Sequence, residues 1–233
     1  MTNLHPAPAP APAPVPSPSP SLQRTVWRDE GTGATRPALV WRFGVPVRAV
    51  ATSVLGGGLG ERSWALNAEV SHDYHHDDPA AHVASIAAAL GLAPGAGLGL
   101  LTAASVLGVV SWSDGGASCD ATVGLCSPTW AAAADGAWSP GTPGTINMVC
   151  WVPAPLGDAA LVNALAAATE AKTQALIESG VPGTGTASDA VALCCPTGGT
   201  ERYGGTRSRW GARLARAVHG AVLTGVGRSG ASR

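Results

Sequence analysis

The sequence predicts a single α+β, or loosely α/β, domain with a buried mixed sheet and about three main helices. Apolar segments of strand length outnumber segments with helical period. The helical segments separate groups of strands and do not alternate strictly with them. The composition, with 45% hydrophobic residues, 12% charged residues and 31 glycines, is typical of a filled core with many tight turns.

Proline alternates with small residues over residues 1–22. This pattern predicts an extended, disordered Pro/Ala tail, because it offers no side chains that could build a core. The folded domain is expected over residues 23–228.

Nine strands and three helices are predicted in chain order. The strands follow short apolar runs bordered by turn residues, at 25–30, 38–43, 48–53, 62–70, 97–104, 108–113, 117–125, 145–152 and 189–195. The first helix is capped by Asp77 or Asp78, has Pro79 in its first turn and stops at Gly91. A second helix is expected from about Asp158 to Ser179 and a third from the YGGT segment to about Leu223, while residues 127–144 are expected to form a loop.

Charge and cysteine content narrow the class of protein. A net charge of −1 and a pI of about 6.6 do not indicate nucleic acid as a partner. The cysteines are odd in number, five, and form no C-x-x-C pair, so we expect reduced, mostly buried thiols in a cytoplasmic protein. The uncharged stretch between Val83 and Ser113 contains Pro94 and several glycines, which favours a helix, a turn and a strand over a membrane span. A homo-oligomer is left open.

The segment TEAKTQAL (169–176) contains Lys172, the only lysine among 14 lysine and arginine residues. At about 100° per residue Lys172 falls on the same helical stripe as three leucines, Leu161, Leu165 and Leu176. A lysine there carries its ammonium group to the edge of the core, pairs with a buried acid, or faces a cavity. Asp189, just ahead of the next strand, is the expected partner, whereas Glu170 lies nearly opposite the stripe and is expected in solvent.

Three further features have both a functional and a purely structural interpretation. The glycine loop GTGTASD (183–189) could let a ligand approach the backbone closely, or be an ordinary turn between a helix and a strand. The segment HDYHHDD (72–78) has side chains that can bind a metal, yet such a segment before a helix is more often a solvated cap. Eight tryptophans against one phenylalanine suit a large flat ligand, although most are expected in the core.

The ordered motifs of residues 48–223 resemble the adenosylcobinamide amidohydrolase family. The resemblance is carried by Asn67, Tyr74, Asp78-Pro79 and seven segments: ATSVLGGG (51–58), GLLTAA (99–104), ATVGL (121–125), GTINM (144–148), TEAKTQAL (169–176), GTGTASD (183–189) and YGGTRSRWG (203–211). It implies hydrolysis of the amide between a corrin side chain and aminopropanol, giving adenosylcobyric acid in corrinoid salvage. It implies a small-molecule corrinoid substrate that itself carries cobalt, with no separate cofactor and no metal site.

The resemblance and the core-facing lysine together suggest the site residues. As a hypothesis, Lys172 donates to the oxyanion or leaving group, Asp189 orients Lys172 or acts as base, and Thr186 and Asn147 position the amide or water. Six further residues are expected to bind the substrate: Ser53, Gly57, Asn67, Thr102, Thr184 and Arg207.

Two alternatives remain. The family commonly has histidine where this chain has Arg207, which keeps a corrinoid-binding protein without hydrolysis in view. An enzyme with a related corrinoid or another substrate on the same fold is the other alternative, because a fold does not fix a substrate.

Overall fold

The structure, a computed structural model, describes residues 19–136 and 144–230. It contains eight strands: β1 (Ser21–Arg28), β2 (Thr35–Ala51), β3 (Gly58–Glu69), β4 (Gly97–Thr102), β5 (Val110–Asp114), β6 (Ala117–Val123), β7 (Ile146–Trp151) and β8 (Ala190–Cys195). The three α-helices of the described residues are α1 (Pro79–Ala89), α2 (Asp158–Glu178) and α3 (Arg209–Gly230). A short 3₁₀ helix, Val106–Gly108, precedes β5.

All eight strands belong to one mixed sheet with the order β4-β3-β2-β8-β7-β6-β5, and β1 pairs with β2 beside this path. The pairs β3–β4 and β7–β8 are parallel, and the remaining pairs are antiparallel. The predicted α+β class with a buried mixed sheet is confirmed.

The long strand β2 connects two halves of the sheet. Its first part pairs with β1 and β3, and its last residues, 48–51, pair with β8. The pairing with β3 shifts register between Arg42 and Val47, at a bulge that contains Gly44 and Pro46. Side chains then meet across the two halves, since the indole nitrogen of Trp41 donates to Asp120 on β6 at 2.6 Å.

Three apolar clusters fill the layers. Helices α2 and α3 cover the outer face of the half formed by β5–β8. Helix α1 covers the outer face of the half formed by β2–β4. The third cluster lies between the two halves and includes Trp41, Leu100 and Trp151. Because side chains of a strand alternate between its faces, strands buried on both faces are nearly continuous in apolar residues, as in β7 and β8.

Several predicted boundaries differ from the structure. The strands predicted at 38–43 and 48–53 are one strand, because Gly44 and Pro46 form a bulge and not a turn. Strand β1 begins at Ser21, two residues inside the predicted tail, and α3 continues to Gly230, two residues past the predicted domain end at 228. Residues 1–18 of the predicted tail and 137–143 of the predicted loop lie outside the described residues.

The apolar stretch between residues 83 and 113 divides into the end of α1, β4, the 3₁₀ helix and most of β5. No helix in the described part of the chain has the length and apolarity needed to cross a membrane.

Candidate active site

A cleft of about 400 Å³ opens where the two halves of the sheet meet. One wall comes from the starts of β7 and β8 and the residues before them, and the other from the end of β4 and the segment after β3. Its polar lining consists of Thr52, Ser71, Tyr74, Thr102, Thr145, Asn147, Ser188 and Asp189. Its size lies toward the lower end of the roughly 300–1,000 Å³ of small-molecule sites.

Asp189 forms a buried ion pair at the edge of this cleft. The ammonium nitrogen of Lys172 lies 2.5 Å from Asp189 Oδ2, and the two side chains are 8% and 10% exposed. This is the partner that the sequence predicted, and Glu170 is exposed as expected. Lys172 approaches from α2, and it is not among the residues that line the cleft.

The carboxylate of Asp189 accepts four hydrogen bonds. Besides Lys172, it accepts from the backbone N–H of Ile146 at 2.9 Å, the backbone N–H of Thr186 at 3.1 Å and the Thr186 hydroxyl at 2.6 Å. A carboxylate has about four lone-pair sites, two on each oxygen. The four donors therefore satisfy Asp189 fully and fix the start of β7 against the glycine loop.

Gly185 is required by the ion pair itself. A β-carbon at this position would stand 2.3 Å from Asp189 Oδ2 and 2.5 Å from the Lys172 nitrogen. Its own loop is fastened on the other side, since the Thr129 N–H donates to the Gly185 carbonyl at 2.8 Å and the Ala131 N–H donates to the Thr184 hydroxyl at 2.9 Å. The glycine loop is thus built around the lysine–aspartate pair.

Asn147 joins the two halves of the sheet beneath the cleft. Its side-chain amide nitrogen donates to Asn67 Oδ1 at 2.9 Å and to the Leu101 carbonyl at 2.8 Å, while Asn67 donates to the Thr122 hydroxyl at 3.1 Å. Asn147 is 2% exposed, and its Oδ1 atom has no hydrogen-bond partner among the residues that the structure describes. Because both amide hydrogens are used, Asn147 can offer the cleft an acceptor and not a donor.

Two hydroxyl groups pair on the wall beside Asn147. The hydroxyls of Thr145 and Ser188 are 2.8 Å apart, and Ser188 also lies 3.4 Å from the Gly144 carbonyl. Thr145 is buried and Ser188 is exposed. Within this pair Ser188 is therefore the hydroxyl accessible to a bound molecule.

Tyr74 stands at the opposite wall and contacts a histidine. Its hydroxyl lies 3.0 Å from His82 Nδ1 on α1. Burial raises the pKa of Tyr74, and burial, with the neighbouring His76, lowers the pKa of His82. At neutral pH the pair is accordingly a phenol and a neutral imidazole.

The structure separates the predicted site residues into five groups. Asn147, Asp189 and Thr102 line the cleft, whereas Lys172, Thr186 and Asn67 support those residues from behind. Ser53 and Gly57 belong to the turn before β3, where the Ser53 hydroxyl donates to the Leu55 carbonyl, and Thr184 holds the glycine loop to residues 129–131. Arg207 is exposed beside Asn163 near the start of α2.

Sequence reasoning did not assign a role to Tyr74 or Thr145, and it offered Ser188 only as one of the hydroxyls that the glycine loop could present to a ligand; all three line the cleft. All three belong to motifs that carried the family resemblance. The Thr145–Ser188 pair joins segments 43 positions apart, and the Tyr74–His82 pair depends on the path of the irregular segment before α1, so no regular spacing indicates either pair.

The HDYHHDD segment does not gather into a metal-type cluster. Across residues 19–136 and 144–230, no group of three or more His, Cys, Asp or Glu side chains is placed to hold a metal ion. Asp78 instead caps α1, accepting from the Ala81 N–H at 2.9 Å. Among the described residues all five cysteines are free and Cys126 alone is exposed, which agrees with the prediction of reduced, mostly buried thiols.

The cleft of this single-sheet α+β protein presents hydroxyl, amide and carboxylate groups. A family model described as adenosylcobinamide amidohydrolase matches residues 23–233. The chain therefore belongs to the adenosylcobinamide amidohydrolase family and is, by class, a hydrolase that acts on an amide.

Two curated relatives are similar to the chain. A protein named adenosylcobinamide amidohydrolase from Methanosarcina mazei is 30% identical over 190 residues, covering 76% of this chain and 89% of that protein. A protein of the same name from Halobacterium salinarum is 44% identical over 82 residues, which is 34% of this chain and 35% of that protein. The latter match thus spans about a third of that relative's length.

Proposed function

We propose that the protein hydrolyses adenosylcobinamide at the amide that joins the corrin side chain to aminopropanol. The products are adenosylcobyric acid and 1-amino-2-propanol, so the reaction returns a salvaged corrinoid to coenzyme synthesis. The observation that carries the proposal is the cleft, in which a serine hydroxyl, an amide acceptor and a fixed carboxylate meet at the junction of the sheet. Family membership supplies the substrate class.

The size of the cleft fits the reacting arm of the substrate. At about 400 Å³ it is too small for a corrin macrocycle with its side chains, and it accepts a short linear amide. The ring then remains at the mouth, where Val54, a residue of the cleft wall, is 51% exposed and offers apolar surface.

The lining residues suggest how the amide is held. The Ser188 hydroxyl donates to the carbonyl oxygen, on which negative charge develops when water attacks the carbon. The unpartnered Oδ1 of Asn147 accepts from the N–H of the same amide, and this hydrogen bond satisfies an atom that is otherwise buried without a partner. Water adds to the carbon, the C–N bond breaks, and the amine leaves with a proton that came from the water.

Asp189 serves as a positioning residue in this scheme. Its lone pairs are taken by four donors, so it is poorly suited to remove a proton from water. It fixes the Thr145–Ile146 backbone and the Ser188 segment, and Lys172 compensates its buried charge. Lys172 accordingly acts through Asp189 and not on the substrate.

The Tyr74–His82 pair provides the proton acceptor. A proton from the attacking water passes to the Tyr74 oxygen as the phenol proton moves to His82 Nδ1. When the C–N bond breaks, the Tyr74 hydroxyl donates this proton to the leaving nitrogen and His82 Nδ1 returns a proton to Tyr74, so the base is again neutral. Because the pKa of His82 is lowered, the base is neutral at pH 7, and kcat/KM is expected to fall as the pH drops below about 6.5 toward that lowered value. Tyr74→Phe should reduce kcat and remove this acid limb, and an unchanged limb in this variant would contradict the relay.

The purified protein tests the activity directly. Wild-type protein incubated with adenosylcobinamide should release adenosylcobyric acid and 1-amino-2-propanol in equal amounts, measured by liquid chromatography and mass spectrometry. Ser188→Ala should lower kcat by about 10²-fold or more, the usual cost of removing one oxyanion donor. Ser113→Ala, a hydroxyl deletion at an exposed position of β5 outside the cleft, is the matched control. Binding of adenosylcobinamide without any release of product would replace the proposal with a corrinoid-binding function.

A further inference from the structure

A second cavity of about 650 Å³ adjoins the cleft and shares Ser71 and Tyr74 with it. Its walls come from the turn after β1 and from the HDYHHDD segment with α1. Of its lining residues, only Tyr74 and His82 take part in the proposed reaction steps. Because the two cavities share Ser71 and Tyr74, a molecule that fills both contacts these residues.

The cavity contains a layered group of aromatic rings. Tyr74, His76 and His82 are nearly parallel, with interplanar angles of 7–14° and the closest centroids, those of His76 and His82, 4.8 Å apart. Trp27 meets His82 edge-on, at 72° and 5.5 Å. His76 is exposed, and its ring position is fixed by the hydrogen bond that the Asp78 N–H donates to its Nδ1 at 3.1 Å. Such a platform is suited to a flat heteroaromatic ring.

One buried polar group of this cavity lacks a partner. Trp27 is 5% exposed and lines the cavity, and its indole nitrogen makes no hydrogen bond within residues 19–136 and 144–230. An indole N–H is a donor only. A ligand that brings a ring nitrogen to this position would satisfy it, and a hydrocarbon would not.

The charges at the rim indicate a neutral, hydroxyl-bearing ligand. Asp29, Glu30 and Asp73 line the cavity beside one arginine, Arg28. Asp29 already pairs with Arg36, and the Ser71 hydrogen bond lowers the pKa of Asp73 and keeps it ionised. Carboxylates accept hydrogen bonds from ribose hydroxyls and repel phosphate. The combination favours a nucleoside over a nucleotide.

We infer that this cavity binds the adenosyl group of the substrate, with adenine against the His76–His82 platform, a ring nitrogen on the Trp27 indole and the ribose hydroxyls at the acidic rim. The inference rests on the proposed function for the identity of the whole substrate. It follows from the chemistry of that molecule: the adenosyl group stands on the cobalt and the aminopropanol arm leaves the ring edge, so the two need separate, adjacent cavities. Ser71 and Tyr74 form the ridge between them.

Paired ligands separate this inference from the activity. Equilibrium affinity is measured for adenosylcobinamide and for methylcobinamide, which keeps the arm and replaces only the adenosyl group. Wild-type protein should bind the adenosyl form more tightly. Trp27→Phe and His76→Ala should each weaken the adenosyl form by about tenfold and the methyl form by less than twofold, so that the preference declines.

Control variants exclude a general loss of structure. Trp112→Phe repeats the tryptophan change on β5, and Val26→Ala alters an exposed neighbour of Trp27 on β1. Both should keep the wild-type preference. Because His76→Ala changes an exposed residue, it tests the site even if Trp27→Phe unfolds the protein.

The outcomes are distinct. If neither ligand is hydrolysed while the variants still lose the adenosyl preference, the proposed function fails and the adenosyl site stands. If hydrolysis is intact and His76→Ala changes both affinities equally or not at all, the adenosyl site is overturned and the function stands. Free 5′-deoxyadenosine should compete with adenosylcobinamide and not with methylcobinamide, and competition with both forms would also overturn the site.

Discussion

Two glycine-rich motifs that look alike in the sequence have different tasks in the fold. In GTGTASD (183–189) the glycine at 185 makes room for charged side chains, the nitrogen of Lys172 and the carboxylate of Asp189. In YGGTRSRWG (203–211) Gly204 and Gly211 make room for backbone. A β-carbon on Gly204 would meet the Ala160 carbonyl oxygen at 1.9 Å, and one on Gly211 would meet the Gly204 carbonyl oxygen at 2.1 Å.

The difference shows that a glycine-rich motif identifies a position where other atoms pack closely against the backbone. Such a motif does not by itself identify a ligand-binding site. The first motif borders the cleft, and the second allows the start of α3 to pack closely against the start of α2. Asn163, which contacts the second motif, lies nine residues before Lys172 on α2. At 1.5 Å per residue the two motifs thus reach the helix about 13 Å apart. The different roles of the two motifs can be tested by substitutions, which are described below from the largest expected effect on stability or activity to the smallest.

The largest effect is expected at the charged pair. Lys172→Met leaves Asp189 buried without its counter-ion, although three other hydrogen bonds remain, and should reduce the free energy of unfolding by about 3–5 kcal/mol. Urea denaturation measures the loss. Glu170→Met makes the same kind of change at an exposed position two residues away and should cost less than about 0.5 kcal/mol. Equal stability of the two variants would show that the pair contributes little.

Alanine substitutions at Gly204 and Gly185 should distinguish an effect on stability from an effect on activity. Gly204→Ala forces a methyl group against helix backbone and is expected to cost about 1–3 kcal/mol, while folded molecules keep the wild-type kcat. Gly185→Ala displaces Lys172 or Asp189 and should lower kcat in molecules that remain folded. The two variants are compared by their turnover per folded molecule. Circular dichroism gives the folded fraction. Loss of kcat in Gly204→Ala would place the second motif in the site.

The smallest effect is expected at Arg207. Its side chain is exposed beside the start of α2, so Arg207→Ala and Arg207→His should each change kcat/KM for adenosylcobinamide less than twofold. Steady-state kinetics of the two variants measures this change in kcat/KM. A large gain in Arg207→His, which introduces the histidine expected from the family resemblance, would indicate that Arg207 impairs catalysis in this chain and would favour the binding-protein alternative.

Much of the fold could be predicted because it is encoded locally. The stripe of α2 and the cap at Asp78 depend on residues a few positions apart, and both agree with the structure. The bulge of β2 could not be predicted, because Gly44 and Pro46 have the same sequence signature in a turn and in a bulge, and only pairing with β3 distinguishes them.

The ion pair could be predicted from the sequence, whereas the other contacts of the cleft could not. Lys172 could be matched to Asp189 because charges are scarce on the apolar segments and one loop separates the two elements. The Thr145–Ser188 contact joins residues 43 positions apart, and the Tyr74–His82 contact depends on the path of the irregular segment between β3 and α1, so no regular spacing in the sequence reveals either contact. Helical phase also could not tell that Lys172 reaches the cleft through Asp189 and not directly, because that depends on the position of the glycine loop.

The Asn147–Asn67 contact between the two halves of the sheet has a consequence for the order of folding. The Asn147–Asn67 contact joins residues 80 positions apart, and it can form only after β2 has turned and both β3 and β7 have docked. Closing such long loops is slow, so chains dominated by distant strand pairing fold in milliseconds to seconds. During synthesis, β1–β4 and α1 emerge long before β7 and β8. The emerging chain therefore presents the walls of the second cavity first, and it acquires the β7–β8 wall of its cleft only when the last third of the protein arrives.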